Sequence, residues 1–113
     1  MNMDLNEMNC RETLASLPER FDPAAAGSLN SEIQFHLTGQ EAGDYFLHIG
    51  EGVCTFHEGQ AVSPSITLTT PSEIWLQVLR QKLSGMEAFM QGKLRVEGDF
   101  TLGLRLFEIF HLR

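Results

Sequence analysis

One stretch constrains this chain more than any other, the run from Met86 to Phe110, MEAFMQGKLRVEGDFTLGLRLFEIF. It is apolar at almost every second position and contains no catalytic motif. Met86, Phe89 and Met90 recur at helical spacing and stop at Gly92, so a short helix is expected there. Lys93 to Glu97 then reads as a strand with Leu94 and Val96 on one face, and Asp99 as the cap of a final helix. In that helix Phe100, Leu102, Leu104, Leu106, Phe107, Ile109, Phe110 and Leu112 leave only a narrow polar stripe at Thr101, Arg105 and Glu108. A helix apolar nearly all round is expected to be buried on more than one side. Gly103 within it costs about 1 kcal/mol relative to Ala, which implies close approach by another backbone or a ligand. So much apolar surface at one end of the chain either builds a core or covers something oily.

The preceding chain supplies a sheet. Met1 to Asn9 reads as loose, or as a frayed helix start. Leu14, Leu17 and Phe21 predict a short amphipathic helix over Arg11–Phe21, with Pro18 breaking it or opening a second turn. Asp22 and Pro23 then offer a helix start and Gly27 a stop. From Ile33 the period becomes two. Ile33, Phe35 and Leu37 make one strand, Tyr45, Leu47 and Ile49 a second, and Val53 to Glu58 a third, joined to the second by a tight turn at Glu51-Gly52. That turn sets Ile49 opposite Cys54 and Leu47 opposite Phe56, with Tyr45, Leu47, Ile49, Cys54 and Phe56 on one face. Ile66 to Thr69 is a fourth strand. Thr70-Pro71-Ser72-Glu73 reads as a capping box with Pro at the first helical position. It opens a helix whose apolar stripe is Ile74, Trp75, Val78, Leu79 and Leu83, ending at Ser84-Gly85.

The totals exclude several functions. A chain of 113 residues makes one domain, large enough for a real core. Eight Lys and Arg against fifteen Asp and Glu give a net charge of −7. That balance argues against nucleic acid, whose binders need a basic face, and less strongly against firm docking on anionic membrane. No apolar run approaches the ~18 residues of a membrane span, so no integral membrane segment is expected, although transient membrane contact stays open. The N-terminus lacks a basic start followed by an apolar run, and His111-Leu112-Arg113 is not a peroxisomal address. A cytoplasmic location is expected. Cys10 and Cys54 allow one disulfide that nothing else in the sequence supports.

Catalysis finds little footing. There is one tyrosine, no Cys-His or Ser-His-Asp spacing, and Glu97 and Asp99 read as a strand end and a helix cap. The chain reads as non-enzymatic, with no cofactor and no metal. His36, Phe46 and His57 fall in one cross-strand row on the face opposite the core, with the imidazoles roughly 10 Å apart. That is too far to share a zinc whose ligand nitrogens lie about 2 Å away. His48 with a diagonal His57 lacks carboxylate or thiolate support. Phe46 and Val53 point outward together, so a monomer is expected or, through that face, a weak homodimer.

The run Gly85-Met86-Glu87-Ala88-Phe89-Met90-Gln91-Gly92-Lys93-Leu94-Arg95-Val96-Glu97-Gly98-Asp99, with Leu102-Gly103-Leu104 and Leu106 after it, resembles the most recognisable segment of the sterol carrier protein type 2 family. Ile66 to Thr69, continuing into Thr70 to Leu79, is similar to that family's strand-to-helix junction. The resemblance covers about Leu14 to Phe110. It implies an α+β fold, a five-stranded mixed sheet with helices on one face. An apolar tunnel between them would take fatty acids, acyl-CoA esters, sterols or phospholipids. By position, Trp75, Leu79, Met86, Phe89 and Met90 would line that tunnel from the middle helices. Leu102, Leu106, Ile109 and Phe110 would line it from the last, and Phe35, Leu37, Leu47, Ile49 and Phe56 would form its floor. At about 24 cal/mol per Å³, an empty cavity of ~300 Å³ would cost about 7 kcal/mol, comparable to the whole stability of a domain. The tunnel is therefore expected to be occupied or partly collapsed. The resemblance implies a lipid carrier holding a fatty-acyl, sterol or isoprenoid-type ligand. The alternative is a non-catalytic accessory subunit of a lipid- or quinone-metabolising complex, its terminal helix docking a protein.

Overall fold

The period-two runs all become strands of one sheet. The computed structural model describes residues 6–112. Its strands are β1 (Ser31–Thr38), β2 (Gly43–Gly50), β3 (Val53–Glu58), β4 (Ile66–Pro71) and β5 (Arg95–Gly98). Its helices are α1 (Cys10–Ser16), α2 (Pro23–Ala26), α3 (Ser72–Leu79), α4 (Gly85–Met90) and α5 (Phe100–Ile109), with a 3-10 turn at Leu17–Arg20. The strand order is β3-β2-β1-β4-β5. β1 and β4 run parallel, and every other neighbouring pair is antiparallel. The fold is α+β, a five-stranded mixed sheet with helices over one face.

Register explains the burial. Ile33 pairs with Leu47 and Ile66, Phe35 with Tyr45 and Leu68, Leu47 with Phe56, Ile49 with Cys54, and Leu68 with Val96. Cross-strand partners share a face, so these residues make one apolar surface, on which Ile33, Leu37, Leu47, Ile49 and Ile66 are fully buried. The β2–β3 turn is as the sequence predicts. Glu51 and Gly52 both adopt positive φ, 53° and 75°, the backbone of a two-residue turn that matches strand twist.

Several local expectations are corrected. The helix predicted over Arg11–Phe21 is α1 followed by a 3-10 turn, the second turn expected at Pro18, which has no N–H to continue the α-helical ladder. Of the leader expected to be loose, residues 1–5 lie outside the described residues. Asn9 caps α1 in a reciprocal box with Glu12, and the Arg80 guanidinium donates to the Asn6 and Met8 carbonyls. Thr70 does not cap α3. Pairing with Leu37 keeps it in β4, and its hydroxyl donates 2.9 Å to the Lys93 carbonyl. Pro71 occupies the cap position, and no side chain caps that end. α3 stops at Leu79 rather than Ser84, since Gln81 takes φ 60° and ends the right-handed path. β5 begins at Arg95 rather than Lys93. The caps at Asp22 and Asp99 are present, each carboxylate accepting from backbone N–H groups.

The outer face differs in one register. Phe46 pairs with Gln34 and His57, and His36 pairs with Asp44, so His36 does not share the Phe46–His57 row. Phe46 stacks on His57 at 4.9 Å. His36 Nδ1 hydrogen-bonds Asp44 Oδ1, which holds the Asp44 carboxyl below its ordinary pKa. The Gln34 amide donates to the Tyr45 and Gly59 carbonyls and accepts from Ala61 N–H at 2.7 Å, fastening the loop after β3 against β1 and β2.

Gly98 closes β5 at φ 103°, where a Cβ would lie 2.5 Å from the Ser65 carbonyl oxygen. Ala there meets both an unfavourable backbone region and a main-chain clash. Gly98→Ala is expected to destabilise the protein by about 2 kcal/mol, measured by urea denaturation. An unchanged midpoint would mean that the β4–β5 junction relaxes freely.

Candidate functional site

The helices that follow β4 in sequence also cover it in space, and an apolar cavity lies beneath them. Phe35 of β1, Leu68 and Thr70 of β4, and Leu94 and Val96 on the β5 side form its floor. Ile74, Trp75 and Val78 of α3 close one side, and Gly85 and Phe89 of α4 a second. From α5 come Phe100, Gly103, Leu104, Leu106 and Phe107, and beyond it Phe110 and Leu112. Only Thr70 and Trp75 carry polar atoms in this lining, and the donor of each is already spent, the Thr70 hydroxyl on the Lys93 carbonyl and the Trp75 indole N–H on Thr13 Oγ1. No lining side chain therefore offers a free hydrogen-bond donor. Such a space selects for apolar surface and shape.

The space is nearly closed, with a volume of about 40 Å³. Phe35 meets Trp75 edge-on at 5.3 Å, and Phe89 tilts against Phe100 at 5.1 Å. Two glycines allow this density. A Cβ at Gly85 would lie 2.3 Å from Phe107 Cε1, and one at Gly103 would lie 3.0 Å from Ile66 Cδ1. The close neighbours at Gly103 are the side chains of Ile66 and Val96, not the backbone or ligand expected there. Trp75 is fixed by a second contact, its Nε1 donating 2.9 Å to Thr13 Oγ1, which in turn donates to the Cys10 carbonyl.

The cavity reaches the surface along α5. Phe100 and Leu104 line it yet are 48% and 43% exposed, so the helix expected to be covered on more than one side carries an exposed apolar flank. Met86 joins Leu104 and Phe107 in a shallow depression on the same flank.

Of the fourteen residues singled out by position, Phe35, Trp75, Phe89, Leu106 and Phe110 line this cavity. Leu37, Leu47, Ile49, Leu79, Leu102 and Ile109 are buried in the surrounding core. Phe56 stacks on Tyr45 at 5.8 Å, with the Arg11 guanidinium over its ring. Met86 and Met90 are exposed, Met90 by 77%. Leu68, Val96, Phe100, Leu104 and Phe107 are among the lining residues that position does not single out. Strand order is the signal that locates them, because a parallel crossover from β3 to β4 sets α3, α4 and α5 over the β1–β4–β5 half of the sheet.

Both cysteines are free and buried, and burial pushes each thiol up to about 12. They behave as small apolar groups. Among the described residues, no helix is long and apolar enough to cross a membrane.

Sheet order, one-sided helices and an enclosed apolar space together define a domain of the sterol-carrier type. The chain belongs to the SCP-2 sterol transfer family, whose profile matches residues 12–111, and is accordingly a lipid-binding and lipid-transfer type of domain. The solution structure of palmitated SCP2L2 from Aedes aegypti superposes with a TM-score of 0.76 at 21% identity, covering 92% of this chain and 96% of that one. The stereoselective inverting sec-alkylsulfatase Pisa1 from Pseudomonas sp. gives a TM-score of 0.75 at 22% identity, over 95% of this chain and 16% of that one. In sequence, the hydroxysteroid dehydrogenase-like protein 2 of Xenopus tropicalis is 27% identical over 100 residues, 88% of this chain and 24% of that protein. The chain thus spans about a quarter of the length of the curated relatives it matches.

Proposed function

We propose that this domain is a non-catalytic carrier that takes up one long-chain lipid through the α5 flank and holds its chain in the cavity beneath α3, α4 and α5. The observation that carries this is an almost wholly apolar cavity whose lining side chains offer no free hydrogen-bond donor. Each methylene moved from water into such a space contributes about 0.8 kcal/mol, so a long chain binds without polar chemistry, against the cost of immobilising it. A volume of about 40 Å³ is too small for that chain, so the walls must part. The Phe89–Phe100 pair and the exposed Leu104 are where they part most cheaply, since neither Phe100 nor Leu104 is locked in the core. The collapsed state also avoids the cost of an empty tunnel. The palmitated Aedes aegypti structure supports a fatty-acyl chain as the first ligand to test.

The single tryptophan is a built-in reporter, because Trp75 lies in the cavity wall. Titrating delipidated protein with palmitate is expected to shift Trp75 emission and saturate at one ligand per chain. A carboxylate at the mouth opposes a passing chain. Phe100→Asp is expected to weaken palmitate binding roughly tenfold, while the thermal midpoint moves little because Phe100 is half-exposed. Emission unchanged across the titration in the original protein would overturn the carrier function.

A second reading has one observation behind it. The Xenopus relatives are about four times longer than this chain, so the domain also fits an accessory module that presents lipid to, or docks on, an enzyme. Stoichiometric lipid in the purified protein favours the carrier. Lipid-free protein that binds one enzyme partner through α5 favours the module.

A further inference from the structure

A second depression lies against the end of β4, and two residues belong to both spaces. Thr70 and Ile74 line the apolar cavity and also this groove of about 360 Å³. The groove carries charged side chains that the cavity lacks, being bounded by Glu73, Lys93 and Arg95 as well as Thr69. Its cations stand out in a chain of net charge −7. Arg11 is paired with Glu58; Arg20, Arg80 and Arg105 are committed to backbone carbonyls, and Lys82 lines neither space. Among the described residues, the side chains of Lys93 and Arg95 make neither a hydrogen bond nor an ion pair. Glu73 is the one acid in the groove, leaving a net positive lining, and the first turn of α3 opens beside it without a side-chain cap. A positive groove that shares a wall with an apolar cavity matches the two ends of an acidic amphiphile.

We propose that this groove is an anion subsite, in which Lys93 and Arg95 receive the carboxylate or phosphate head of a lipid whose chain enters the cavity. The inference rests on the carrier function and adds head-group selection to it. Charge-assisted hydrogen bonds from the two cations hold the head at the rim, where it keeps part of its hydration. Acidic lipids are then preferred over neutral ones of equal chain length, and the preference shrinks as salt screens it.

Palmitate, hexadecanol and inorganic phosphate, each added to the full chain, separate the outcomes through Trp75 emission and the backbone amide shifts of Lys93 to Arg95. Palmitate is expected to bind roughly tenfold more tightly than hexadecanol. In a Lys93→Gln/Arg95→Gln double variant that advantage is expected to vanish. Glu73→Gln, which removes the opposing charge, is expected to widen it. Equal affinity for acid and alcohol in the original protein would overturn the subsite and leave the carrier standing. Failure of both to bind would overturn the carrier and the subsite together. Amide shifts saturating with inorganic phosphate at the affinity found for palmitate would assign the groove to a free anion and overturn the amphiphile.

Discussion

A chain ending at Glu97 is expected not to fold. The sequence leaves the terminal helix two roles, core or removable cover, and its burial decides between them. Leu102, Leu106, Ile109, Phe110 and Leu112 are all 8% exposed or less. At about 1.5–3 kcal/mol for each large apolar side chain, their removal forfeits roughly 10 kcal/mol, as much as a domain's typical net stability of about 5–15 kcal/mol. Backbone ties go with them. Asp22 N–H donates 2.9 Å to the Ile109 carbonyl, and the Arg105 guanidinium reaches the Ala25 and Ala26 carbonyls across α2. The truncated chain should give no cooperative unfolding transition by circular dichroism and collapsed amide dispersion by NMR. A cooperative, well-dispersed domain without α5 would instead make that helix a lid. On the structure the two sides of α5 differ. One face is core, and the flank carrying Phe100 and Leu104 is the edge of the cavity.

The local grammar of this chain was legible because short-range physics wrote it. Alternation along β1, β2 and β3 gave the inward face, and the Glu51-Gly52 turn fixed the β2–β3 register to the residue. Asp22 and Asp99 cap as their side-chain chemistry requires. The failures are non-local. Thr70-Pro71-Ser72-Glu73 has the pattern of a capping box, yet a parallel neighbour claims Thr70 for β4, a partner that lies outside any local window. The alternation alone sets His36 opposite Phe46, two positions from its true partner Asp44. A slip of two preserves the face of every side chain, so the core assignment survived while the histidine row did not. The same limit governs the site. Leu47, Ile49 and Phe56 face the helical layer as Phe35 does, but α3, α4 and α5 cover the β1–β4–β5 half of the sheet. Nothing in an alternating pattern states that β4 lies beside β1 rather than β3. Family likeness supplied the fold, and only three-dimensional order separates cavity wall from core.

Trp75→Ala is expected to cost about 4 kcal/mol in the lipid-free protein, in the range for truncating a large buried aromatic. Trp75 is 4% exposed, packs edge-on against Phe35, and hydrogen-bonds Thr13. The lost hydrogen bond is the smaller part, because Thr13 Oγ1 keeps its bond to the Cys10 carbonyl and loses only an incoming donor. Trp75→Phe should therefore cost about 1 kcal/mol beyond its smaller volume. For a domain of this size, a loss of about 4 kcal/mol lowers the thermal midpoint by roughly 20 °C. What makes the substitution informative is where the void opens. Trp75 forms part of the cavity wall, so its removal enlarges the space that a lipid chain would enter. A bound chain fills that void, and ligand that binds only the folded state raises stability by mass action. Saturating palmitate is thus expected to restore a larger share of thermal stability to Trp75→Ala than it adds to the original protein, read by calorimetry with and without ligand. Equal increments in both proteins would place the chain elsewhere. No increment in either would mean that the space beneath α3, α4 and α5 is packing alone.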